Sequence, residues 1–230
     1  MSSTLPHAVL SRRALRLAVQ SAARAGGGRA DLRADAWGHG LLEVAQVAAD
    51  TGIREMLVDT TEEVARLHER GIAATTAGEP DMDARMLYGL PDSSGLCTSE
   101  PVMRLVGRVL SVKPLRAGEG VSYGYHHRAL TDTRIALVGG GYAQGIVRAL
   151  GGAAAVGFDE SLLPIIGRVA MDACVIDIGE VAIAPGDEVT FFGGSGPAAG
   201  MLAQWAHATR MCVGELVTVA GLHARREWVA

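Results

Sequence analysis

Apolar residues Leu15, Val19 and Ala22–Ala23 recur at helical spacing between arginines, and Gly26–Gly27–Gly28 closes the run, predicting an amphipathic helix from about Ser11 to Arg24. Ala30–Ala36 (ADLRADA) suits a strand. Leu41, Val44, Ala45 and Ala48 then fall at i, i+3, i+4 and i+7, a helix ended by Gly52. EMLVD (Glu55–Asp59) reads as a second strand. TTEEVARLHERG opens with Thr60 and Glu63 in a capping-box pattern and stops at Gly71. IAATTAGEP supplies a third strand and its exit loop. This strand–helix alternation implies a parallel sheet.

From about Pro101 the pattern changes to β-rich runs punctuated by glycine: VMRLVGRVLSVKPL, GVSYGY, RIALVGG, LLPIIGRVAMDACVIDIG and DEVTFFGG. These predict a second, mostly antiparallel domain. MLAQWAHAT reads as a helix inside it, and ELVTVAG and REWVA as closing strands. The Asp-, Pro-, Gly- and Ser-rich stretch Glu79–Glu100 marks the boundary. The expected fold class is therefore α/β followed by all-β, with domains at residues 1–97 and 98–230.

Composition narrows the partners. A chain of 230 residues with 49% hydrophobic and 20% charged residues can bury a core. A net charge of -4 without a basic stripe argues against nucleic acid. Cys97, Cys174 and Cys212 show no CxxC pairing, so neither a disulfide framework nor a metal site is expected, and a reducing compartment is. Residues 1–30 hold five arginines and no acid, faintly like a transit peptide, and Arg12-Arg13 faintly like a twin-arginine signal. Arg16 and Arg24 interrupt the apolar stretch, which favours the helix. No apolar run approaches the ~20 residues of a membrane span, so a cytoplasmic protein is expected. Of 21 basic residues only Lys113 is a lysine.

Single motifs are weak. Gly139, Gly141 and Gly145 after an apolar run give GxGxxxG, one residue off the dinucleotide fingerprint, and the sequence beyond returns to glycine-punctuated β structure rather than to a parallel strand ending in an acid. A turn is the better reading. His126-His127 would point to opposite faces of a strand and reads as a solvated pair. Asp172 ends a strand or caps a turn.

Taken together, the pieces resemble one family. RADAWGHG (Arg33–Gly40) is similar to the KADAYGHG segment that carries the pyridoxal-phosphate lysine of alanine racemases. MLYGLPD (Met86–Asp92) resembles the end of that family's barrel, and GEGVSYG (Gly118–Gly124) the segment holding its catalytic tyrosine. VGGGYAQG and GRVAMDACVID resemble the GYADG and GRVSMDQ segments, in the same order. The resemblance implies a (βα)8 barrel that holds the cofactor, a β-domain, and a dimer in which one chain's tyrosine enters its partner's site. Lysine and tyrosine then act as two bases on opposite faces of the substrate's α-carbon. On this likeness Tyr123 is the catalytic phenol, Arg33, Trp37 and His39 stand at the cofactor, and Tyr142, Met171 and Asp172 border the substrate.

The resemblance breaks at its centre. Arg33 stands where the lysine should, and a guanidinium stays protonated and does not attack an aldehyde. Covalent attachment of pyridoxal phosphate is not expected. A barrel takes ~250 residues, and the segment before the β-domain has room for about three of its eight units. Gly214 stands before Glu215 where the family usually has a phosphate-binding tyrosine before a glutamate, and Trp37 replaces a tyrosine. Three strands that do not close should leave an open edge and a bare apolar face, favouring association. The expectation is a racemase-like protein without independent activity, in a homodimer or paired with a full-length racemase to which it lends Tyr123. An active racemase of a small amino acid, interconverting L- and D-alanine, and a non-catalytic ligand-binding or dimerisation module remain alternatives.

Overall fold

The computed structural model describes residues 5–92, 94–97 and 99–230. Thr98, where the second domain was expected to begin, lies outside them. β1 (His7–Ser11) leads into α1 (Arg12–Ala25), β2 (Arg29–Asp31), the turn α2 (Arg33–Trp37), α3 (Leu41–Asp50), β3 (Glu55–Leu57), α4 (Thr61–His68), β4 (Ala74–Thr75) and α5 (Ala84–Leu87). There follow β5 (Met103–Leu115), β6 (Gly120–Val121), β7 (His127–Arg128), β8 (Thr133–Gly139), β9 (Ala155–Phe158), β10 (Ser161–Ile166), β11 (Ala173–Asp177), β12 (Glu188–Phe192), α6 (Met201–Thr209), α7 (Val213–His223) and β13 (Arg225–Val229).

The first segment is the parallel unit that the periodicity implies: β2, β3 and β4 pair in that order and in parallel. Ser11 caps α1 by accepting from the Ala14 amide at 3.1 Å, and Ala14, Leu15, Ala18, Val19 and Ala22 turn inward. Thr60 and Glu63 form both hydrogen bonds of the capping box at α4. The expected bare apolar face is absent: Ala30, Met56 and Leu57 are at most 1% exposed and Ala74 is 8% exposed. The outer edge of β2 is closed too, because the Asp81 carboxylate accepts from the Gly28 and Arg29 amides at 2.8 and 2.7 Å. Only β4, two residues long, ends the sheet on the other side.

In the second segment β12, β9, β10, β11, β8 and β5 follow one another, and β12 pairs back onto β5, which closes six antiparallel strands into a barrel. The long β5 serves three partners along its length: Met103–Val106 pair with β1, Leu105–Arg108 with β12 and Val109–Leu115 with β8. A register shift between Val109 and Ser111 falls within its pairing with β8. β1 also pairs in parallel with β13, so the chain's first strand crosses the expected division and joins the second sheet.

α6 carries Trp205 into the core, edge-on to Phe191 and Phe192 at centroid distances of 6.2 and 5.2 Å. A separate cluster of Leu115, Val121, Ala129, Ile135 and Ile166 seats the β6–β7 hairpin. Two local expectations are corrected. ELVTVAG is helical, within α7: Glu215 accepts from the Cys212 amide at 2.7 Å to start the helix, and Leu216, Val217, Ala220 and Gly221 bury one side of it. The strand expected over Ala30–Ala36 stops at Asp31, where the backbone becomes left-handed. Among the described residues no helix is long and apolar enough to cross a membrane.

Candidate functional site

The chain leaves β2 through a turn that L-residues rarely adopt. Ala34, Asp35, Ala36 and Trp37 have φ between 51 and 55°. Such residues cost roughly 1–2 kcal/mol each, so the surroundings must hold them. They do so from four sides. Asp59 accepts from the Ala34 amide at 2.5 Å, and Asp35 accepts from the Leu41 amide at 2.7 Å. Arg226 of β13 forms an ion pair with Asp35 and donates to the Gly38 carbonyl at 3.3 Å. His39 Nδ1 lies 3.0 Å from the carbonyl oxygens of both Ala36 and Trp37, so Nδ1 carries the proton.

Arg33 opens this turn but does not reach outward unpaired. Its Nε and Nη2 donate to the two Asp31 oxygens, each at 2.8 Å, a bidentate pair with the carboxylate buried and the guanidinium half-exposed. Burial pushes the Asp31 carboxyl up, but the hydrogen bonds and charge of Arg33 outweigh it and leave the group below its ordinary value. The same hydrogen bonds raise Arg33 further, with Glu79 and Asp59 adding negative potential. A phosphate brought here would meet three carboxylates around one committed guanidinium.

His39 is fully buried, and desolvation pulls it down to about 4. Its ring stacks on Tyr88 at 4.5 Å, and Tyr88 stacks in turn on Trp37 at 5.5 Å. Burial raises Tyr88 well above the ordinary phenol, and its hydroxyl donates to the Asp31 carbonyl at 2.9 Å. The Trp37–Tyr88–His39 stack thus backs the Arg33 turn from inside. Tyr88 lies in the quoted MLYGLPD stretch, but nothing in its spacing marked it as a neighbour of residue 33.

The C-terminal candidates gather around one pair of turns. Tyr142 and Ala143 donate through their amides to the Ala170 and Met171 carbonyls at 2.9 and 3.0 Å, and Gly140 donates to the Asp172 carbonyl at 2.9 Å. Gln144 ties the pair: its Oε1 accepts from the Gly141 amide at 2.9 Å, and its Nε2 donates to Asp172 at 2.8 Å. Tyr142, Met171 and Asp172 are therefore held together, with Tyr142 and Met171 exposed. A polar side chain within the glycine-rich turn was the signal for Gln144. Tyr123 sits on an adjoining turn. Ser122, at φ 61°, donates through Oγ to the Arg168 carbonyl at 2.5 Å, and the Tyr123 side chain projects with 66% of the residue exposed.

Helix α7 stands between the two groups. Gly38 packs so closely that a Cβ there would lie 2.7 Å from the Thr218 carbonyl oxygen, and one on Gly145 would lie 2.8 Å from the Ala220 nitrogen. Among the described residues no hydrogen bond or ion pair joins the Arg33 group to Tyr123 within one chain.

This arrangement has known relatives. The family model for the alanine racemase C-terminal domain matches residues 102–228. The chain belongs to the alanine racemase family. The alanine racemase of Helicobacter pylori (strain HPAG1) is 34% identical over 113 residues, which is 47% of this chain and 30% of that protein. The alanine racemase of Mycobacterium leprae (strain TN) is 36% identical over 149 residues, 56% of this chain and 38% of that protein. The chain thus spans about a third of the length of these curated relatives. The fold is that of the alanine racemase from D-cycloserine-producing Streptomyces lavendulae, with a TM-score of 0.84 at 19% identity over 100% of this chain and 98% of that chain. The Bartonella henselae alanine racemase, solved with covalently bound pyridoxal phosphate, gives a TM-score of 0.75 at 17% identity, covering 98% of this chain and 99% of that chain.

The residues present do not fit that cofactor. Position 33 offers a paired guanidinium in place of an amine, the only lysine, Lys113, lies on β5, and His39 is spent on backbone carbonyls inside the core.

Proposed function

We propose that this alanine-racemase-family chain performs no pyridoxal-dependent racemisation alone and acts as a β-domain subunit that presents Tyr123 to the site of a partner racemase. The Arg33–Asp31 pair carries the first half: a guanidinium held by two charge-assisted bonds supplies no nucleophilic nitrogen. The exposed turn of Tyr123, fastened to Arg168 and adjoining the Tyr142–Met171–Asp172 group, supports the second half. A phenol delivered from outside needs a rigid support and a free end, and this turn supplies both. The partner that fits is a dimer-forming, full-length racemase, which would bring the barrel and the amine. The ligand reaching the shared site would then be a small amino acid such as alanine, and the compartment the cytoplasm.

The test mixes the chain with a full-length racemase whose own catalytic tyrosine has been changed to phenylalanine. Stereoinversion of alanine should return with the parent chain and not with Tyr123→Phe, while both co-elute with the partner. Racemisation by the isolated chain, or equal rescue by Tyr123→Phe, would refute the proposal.

A further inference from the structure

We propose that Trp37 and Gly214 form a steric lock that shuts the start of α7 against a phosphorylated ligand, independently of what residue 33 is. A Cβ on Gly214 would lie 2.9 and 3.0 Å from Cη2 and Cε3 of the Trp37 ring, with Cζ3 nearer still. The indole therefore occupies the volume that any side chain at position 214 would take. Its backbone belongs to the left-handed turn and its ring stacks on Tyr88 at 5.5 Å, which hold it on one side, while its other side borders, with Gly214 and Glu215, an open and largely apolar cavity of about 560 Å³. The amides at a helix start attract anions, and one of them is already taken: Glu215 accepts from the Cys212 amide at 2.7 Å. A phosphate there would meet the Trp37 indole and the Glu215 carboxylate. Residues 37 and 214 thus act as one unit, in which a bulky ring at 37 requires glycine at 214.

The lock has a signature that needs no ligand. On helix propensity alone, alanine should stabilise position 214 relative to glycine. With Trp37 in place, Gly214→Ala should instead lower Tm and shift the near-ultraviolet circular dichroism of the indole. In a Trp37→Ala background, or Trp37→Leu should that variant fold better, Gly214→Ala should raise Tm or leave it unchanged. Equal effects in both backgrounds would overturn the coupling.

The ligand arm rests on the proposed function only in taking position 33 as the amine position. Arg33→Lys is incubated with pyridoxal phosphate, reduced with borohydride and mapped by mass spectrometry. Residue 33 should carry little label in that variant and several-fold more once Trp37→Ala is added. Stoichiometric labelling of Arg33→Lys alone would sink the lock. Pyridoxal phosphate captured by the unaltered chain would sink the functional reading instead.

Discussion

Arg226 of β13 grips Asp35 across 191 positions of sequence and so fastens the left-handed turn to the closing strand. The same Nη1 also donates to the Gly38 carbonyl, at 3.3 Å. A charged hydrogen bond at a half-buried site is worth about 1–2 kcal/mol, the scale of the strain it opposes. Arg226→Met should lower the denaturant midpoint without changing the slope. It should also speed amide exchange at Leu41, whose amide donates to the same Asp35 carboxylate at 2.7 Å. Unchanged protection of Leu41 would show that the turn holds without its clamp.

Buried His39 makes stability pH-dependent in a direction that its chemistry fixes. Its pKa falls from an ordinary 6.5 to about 4 because burial disfavours the cation. Between those values the unfolded chain binds the extra proton and the folded chain does not. Stability is therefore full above pH 6.5 and is lost progressively down to about 4, by about 3 kcal/mol in total. Urea midpoints at several pH values in that window should show the slope. His39→Asn, whose side-chain amide keeps a donor for the Ala36 and Trp37 carbonyls, should flatten it.

What the sequence made legible was local periodicity and the order of motifs. The Thr60–Glu63 box, the α1 stripe of Leu15 and Val19 and the span of MLAQWAHAT each depend on neighbours within a few residues, and each took the expected form. The α7 segment misled because its β-branched Val213, Val217, Thr218 and Val219 suit a strand. Its helicity comes from the Glu215 cap and from burial against the turn at Gly38. Asp35 and Arg226, or Trp37 and Gly214, meet only through the tertiary fold, and no spacing announces such pairs. The bare sheet face was expected from the missing barrel strands, but Asp81 sealed one edge of the sheet, and its apolar residues are buried.

Thiol reactivity should divide the three cysteines by burial. Cys174 is buried and desolvation pushes it up to about 12, whereas Cys97 and Cys212 are exposed. The thiolate is the reacting species, so an aromatic disulfide reagent should titrate two thiols in the folded protein and the third only on denaturation. Burial also raises Cys97, which should slow it at pH 7 and speed it as the pH rises. Rapid reaction of Cys174 in buffer would mean that the barrel core opens readily.

Gly141 should prove the least replaceable residue of the C-terminal turns, for reasons of space and not of backbone angle. Its φ of -141° is open to any residue. A Cβ there, however, would run into the Ala170 and Met171 carbonyl oxygens, which already accept from the Tyr142 and Ala143 amides at 2.9 and 3.0 Å. These contacts are with backbone, which has no rotamer to change. Gly141→Ala must therefore part the two turns, weaken the Gln144–Asp172 bond and displace Tyr142 from Met171. The distant stack of Trp37, Tyr88 and His39 should be untouched, so its near-ultraviolet signal should persist, and the loss in stability should be about 1–3 kcal/mol. Rescue of a tyrosine-deficient racemase should fall with this variant even though Tyr123 is intact. Undiminished rescue by a folded Gly141→Ala chain would show that the Tyr142–Met171 group has no part in the shared site.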